Sequence, residues 1–79
     1  MRVDVLYFAS LRDATGIDRE SVEITGGDAR ALFEQLHARH AFALPRERLR
    51  VAVNSEFADW RQPLMDGDEV AFIPPVSGG

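Results

Sequence analysis

The residues here whose types and spacing best suit a chemical role are the last two, Gly78 and Gly79, carried behind Pro74-Pro75-Val76-Ser77. Glycine has no side chain, so two in a row let the main chain enter a channel too narrow for any other residue. Pro74 and Pro75 cannot donate to a strand ladder, so pairing is expected to stop there and the chain to leave the domain extended. Four residues past Pro75 reach roughly 13 Å at about 3.3 Å each, enough to hold an α-carboxylate at a stand-off. A free carboxylate, with a reference pKa near about 3.5, is ionised at neutral pH and is a poor electrophile. It becomes reactive once an oxygen is converted into a good leaving group, for instance by adenylation. The competing reading is an inert terminus.

Composition narrows who would perform that activation. The 79 residues contain no Cys, and all nine basic residues are Arg. Thiol nucleophiles, thiolate zinc sites, disulfides, a Schiff base and a Walker lysine are therefore excluded. No Gly-rich loop is present to cradle a nucleotide. A net charge of −4 disfavours both nucleotide and nucleic-acid binding. Activation is expected from another protein that grips the domain and encloses the tail. His37 and His40, three apart on a helix with Glu34 one turn earlier, lack a fourth ligand and read as surface or boundary histidines. Asp66, Asp68 and Glu69 read as turn and strand-edge residues rather than an acid–base pair.

These residues need a scaffold, and a chain with 46% apolar and 28% charged residues is a folded globular one. At this length it is one small domain, expected over residues 1–75 with 76–79 as the tail, burying about 60–65% of its unfolded surface. No apolar run approaches the roughly 18 residues of a membrane span. Met1-Arg2-Val3-Asp4 alternates charge where a secretory signal would be apolar, so a cytoplasmic location is expected.

Alternation predicts a first strand over 1–9, with Val3, Val5 and Tyr7 on one face and Arg2, Asp4, Leu6 and Phe8 on the other. Residues 10–16 predict one helical turn, capped by Ser10 and stopped by Gly16. A second strand follows over 17–24. Asp28 is placed to cap a helix over 29–40 whose buried stripe is Ala29, Leu32, Phe33 and Leu36, extending to His40. Further strands are predicted over 49–54, over 57–60 at a sheet edge, and over 69–73 after an Asp66-Gly67-Asp68 turn. Asn54 is expected to bond within its own turn. For Trp60, edge-strand packing and partner contact both fit. The order β-β-α-β-β-β gives an α+β domain, a mixed four- to five-stranded sheet with one main helix on one face. The other face must be polar or find a partner, and Phe8 and Ile73 share its parity, with Phe57 nearby.

The runs Val5-Leu6-Tyr7-Phe8-Ala9-Ser10-Leu11-Arg12, Ala52-Val53-Asn54 and, above all, Asp66 through Gly79 resemble the small subunits of molybdopterin synthases. The resemblance spans essentially the whole chain. It implies a ubiquitin-like β-grasp fold and a sulfur-carrier role. Gly79 would be adenylated by an ATP-using enzyme of the ubiquitin-activating type, then converted to a thiocarboxylate by a sulfur donor protein. The charged carrier would dock on a synthase large subunit, in a heterotetramer. There it would give its sulfur to cyclic pyranopterin monophosphate, two carriers serving each dithiolene. The chain itself would bind no cofactor, ATP belonging to the activating partner, and the active site would lie on the large subunit. Position by position, the resemblance makes Gly79 the reactive residue and Val76, Ser77 and Gly78 the inserted tail. It places Phe8, Phe57 and Ile73 on an apolar docking surface, with Arg12 at its rim. Burying about 300 Å² there would supply several kcal/mol before ordering costs. A thiamine-pathway sulfur carrier and a ubiquitin-like protein modifier share the Gly-Gly end and remain as alternatives.

Overall fold

Alternating apolar residues set the sheet. Val3, Val5 and Tyr7 of β1 (Arg2–Tyr7) are buried, as are Val70 and Phe72 of β5 (Glu69–Ile73) and Val51 of β3 (Arg50–Val53). Between them in sequence come α1 (Ser10–Thr15), β2 (Arg19–Glu23), α2 (Ala29–His40), a 3-10 turn over Arg46–Arg48, and, after β3, β4 (Glu56–Ala58). The computed structural model describes residues 1–75. The sequence's candidate tail, Val76, Ser77, Gly78 and Gly79, lies outside the described residues.

The five strands form one mixed sheet in the order β2-β1-β5-β3-β4, with β1 and β5 parallel and the other pairs antiparallel. Central β5 has its three middle residues buried, whereas β4, predicted as an edge, is one. Helix α2 covers one face and buries Ala29, Leu32, Phe33 and Leu36, the stripe its spacing requires. Phe33 sits at the centre of the core, its ring centroid 5.5 Å from Phe72 and 5.6 Å from both Phe42 and Trp60. Trp60 is therefore a packing residue on the helix side, held in the turn after β4. Asp28 caps α2 as expected, its Oδ1 accepting from the Ala31 N–H at 2.9 Å.

Three local expectations are corrected. Ser10 is the first helical residue of α1, and the cap position is Ala9, which bonds no helix N–H through its side chain. The stop at Gly16 is as read, with φ 77° and its N–H bonded to the Arg12 carbonyl. Asn54 and Ser55, both at positive φ (51° and 73°), form the two-residue link between β3 and β4, the conformation that follows strand twist. Asn54 does not serve that turn alone. Its Nδ2 donates to Asp68 at 2.9 Å and its Oδ1 accepts from the Glu69 N–H at 3.0 Å, so it ties the hairpin to the start of β5. Finally, the first three predicted strands exceed the observed ones by one or two residues at each end, the fourth begins one residue earlier and ends two residues sooner than 57–60, and the 3-10 turn is an element the sequence does not announce.

Candidate functional site: the open sheet face and the root of the tail

One helix covers one face, so the register alone specifies what the other presents. Across the sheet, Leu6 pairs with Ala71, Ala71 with Ala52, and Ala52 with Phe57. All four residues have the parity opposite to the buried Val51, Val70 and Phe72. The two central alanines are nearly covered by their larger neighbours, while Phe57 is 61% exposed. One row nearer the sheet's other end, Ile73 pairs with Arg50. Because β1 runs parallel to β5, Phe8, one residue past β1 and 47% exposed, comes out at the same end of the sheet as Ile73. That end is where the chain continues into Pro74 and Pro75.

The opposite end of the same face is polar. Asp4 pairs with Glu69, and the Arg19 guanidinium lies 3.5 Å from each carboxylate. The progression Asp4, Leu6, Phe8 along β1 therefore grades the face from charged to apolar toward the tail. Sequence reading placed Phe8, Phe57 and Ile73 together, and the structure puts all three on this face. Strand alternation also gave Leu6 and Ala71 this parity, but it did not bring Ala52 or Arg50 beside them, because lateral pairing is not carried by alternation within a strand. Arg12 stands on α1, exposed, with its Nε 3.7 Å from Asp18. Beside Phe57, at the β4 edge, a shallow depression of about 450 Å³ is lined by Val53, Ala58, Pro63 and Met65 among others.

The other titratable cluster lies on the helix side and is structural. The Glu20 carboxylate accepts from the Tyr7 hydroxyl, and lies 3.0 Å from His40 Nε2 and 3.3 Å from Arg39 Nη1. Burial pushes the Glu20 carboxyl up, but the bonds from Tyr7 and His40 and the charges of His40 and Arg39 outweigh it, leaving a net downward shift. Burial and the Glu20 bond hold the Tyr7 hydroxyl well above its ordinary range. His37 stacks on Phe33 instead of facing His40's partners. Because Glu20 is more acidic folded than unfolded, its contribution is complete above about pH 5 and is lost as pH falls through the folded value. Glu20→Gln is thus expected to cost about 1–2 kcal/mol at pH 7. Urea unfolding is expected to show the difference between the two proteins shrinking as pH falls below the ordinary carboxylate range.

Among the described residues, no group of three or more His, Asp or Glu side chains is placed to hold a metal ion; what the domain offers is an apolar face leading to the root of a tail. The ThiS family profile matches residues 5–79. The chain belongs to the ThiS family. The molybdopterin synthase sulfur carrier subunit of Escherichia coli K12 is 41% identical over 80 residues, spanning 98% of this chain and 99% of that protein. The complex of subunits 1 and 2 of the molybdopterin-converting factor from Helicobacter pylori 26695 contains a chain 25% identical to this ThiS-family domain. The two superpose with a TM-score of 0.73 over 100% of each. SAMP1 from Haloferax volcanii, the small archaeal modifier protein 1, is 26% identical with a TM-score of 0.85, again over 100% of both chains. The fold of this ThiS-family chain is the ubiquitin-like β-grasp, five strands and one main helix. Among the described residues, no helix is long and apolar enough to cross a membrane.

Proposed function

We propose that this chain is the sulfur-carrier small subunit of a molybdopterin synthase, acting in the cytoplasm. The observation that carries the reading is the apolar row from Leu6 to Phe57, which lies one row from the sheet end where Ile73 continues into Pro74 and Pro75, ahead of Gly78-Gly79 in sequence. A partner that covers this face takes the tail with it. The likeness to the Escherichia coli sulfur carrier subunit and to the Helicobacter pylori complex supports a synthase large subunit as that partner.

In this reading the domain is a handle and Gly79 the cargo site. An adenylating enzyme of the ubiquitin-activating type turns the Gly79 carboxylate into a mixed anhydride with AMP, consuming ATP. Sulfide-level sulfur released by a donor protein then attacks the acyl carbon, AMP leaves, and Gly79 ends as a thiocarboxylate. The large subunit encloses Val76 to Gly79, and sulfur passes to cyclic pyranopterin monophosphate there. The chain binds no cofactor or metal, and a main-chain carboxylate needs neither Lys nor Cys. The likeness to SAMP1 favours a second reading, a protein modifier whose Gly79 joins target lysines.

Complementation separates these. The gene is expected to restore molybdenum-cofactor synthesis in a strain lacking its own synthase small subunit, and not thiamine synthesis in a strain lacking that pathway's carrier. The reverse pattern would select the thiamine carrier. Conjugate ladders dependent on Gly79, with no cofactor rescue, would select the modifier.

A further inference from the structure

Arg50 is a charged residue in an apolar place. It faces the open side of the sheet, paired with Ile73, and its guanidinium carbon lies 4.0 Å from the centre of the Phe57 ring. Arg48, also exposed, ends the 3-10 turn two residues earlier. Among the described residues no carboxylate is within ion-pair distance of either. At the far end of the face, Asp4 and Glu69 already share Arg19. The face is therefore polarised, cationic beside the tail and carboxylate-rich away from it.

A surface that covers Phe57 also takes water away from Arg50. An aromatic ring compensates a guanidinium only in part, and burying the cation without an anion is costly. We propose that Arg50 is the specificity element of this face: the partner protein that docks on it presents a carboxylate to the guanidinium, with Arg48 adding to the same field. This deepens, and rests on, the reading of the chain as a synthase small subunit. A phosphate on the substrate or nucleotide is the wrong occupant. Arg50 is level with Ile73, six residues short of Gly79, a separation of up to about 20 Å along an extended chain. It meets the mouth of the partner's channel, not its reacting atoms.

The sign of one substitution decides the matter. Arg50→Met keeps an unbranched side chain over Phe57 and removes the charge. If the partner supplies a carboxylate, that group is stranded, and affinity for the large subunit encoded in the same genome falls by at least about tenfold. Its salt dependence flattens as well, which a purely packing role would not produce. Arg50→Lys is expected to retain most of the affinity, because a point charge still answers the carboxylate. Calorimetric titration of the full chain in low and high salt reads all three. Arg50→Met binding as tightly as the unaltered chain, or more tightly, overturns the assignment. Phe8→Asp, run alongside, separates the two levels. If it weakens binding while Arg50→Met does not, only the role of Arg50 falls; if neither has any effect, the docking face falls with it.

Discussion

A chain ending at Ser77 is expected to fold normally, to bind the synthase large subunit and to donate no sulfur at all. Every residue of the described core precedes Pro74, and Phe72 is the last of them. Removing Gly78 and Gly79 therefore takes nothing from the described packing, and stability should stay within about 0.5 kcal/mol of the full chain. The cargo, in contrast, has no other site. The sequence has no Cys and no Lys to accept it, and a carboxylate ending on Ser77 would stop about two residues, or roughly 7 Å, short of the reacting position. Loss should be complete, not graded, in cofactor rescue of a strain lacking the small subunit. Partial rescue would mean that the terminal carbonyl is not the carrier.

Phe8→Asp has the next largest expected effect, on association. Phe8 is 47% exposed at the tail end of the open face, so its replacement leaves the core alone. On docking, the change forfeits about 1.5–3 kcal/mol of apolar burial and adds the cost of desolvating a carboxylate against Leu6 and Ile73. Affinity for the large subunit should fall about 100-fold or more, while urea unfolding shows little change. An unaltered affinity would place the docking surface elsewhere, with the depression beside Met65 and Phe57 as the next surface to probe.

Much of this arrangement is written locally. The helix over 29–40 and the strand over 69–73 have the limits read from sequence, because each is bounded by a residue with a specific local task. Asp28 satisfies the Ala31 N–H, and Gly67 takes the positive φ (88°) that the turn before β5 demands. The polar-to-apolar grading of the open face was legible in Asp4, Leu6 and Phe8 for the same reason, strand periodicity. Non-local relations were not. That Arg50 lies beside Ile73, or Ala52 beside Ala71, depends on an antiparallel register between segments about twenty residues apart, which no local pattern encodes. Trp60 shows the same limit. Its neighbours suggested an edge strand, whereas Asp59 accepts the Arg61 N–H at 2.8 Å, turns the chain, and lets the indole stack on Phe72. The Gly-Gly end was legible only as chemistry, as a main-chain carboxylate on a thin, side-chain-free stretch.

Intact-mass measurement after incubation of the full chain with its adenylating enzyme, ATP and a sulfur source tests the carrier role most directly. The account predicts a gain equal to one sulfur replacing one oxygen, localised by fragmentation to Gly79 and abolished when ATP is withheld. A mass that stays unchanged under conditions where the same enzyme and donor charge an authentic carrier would contradict it.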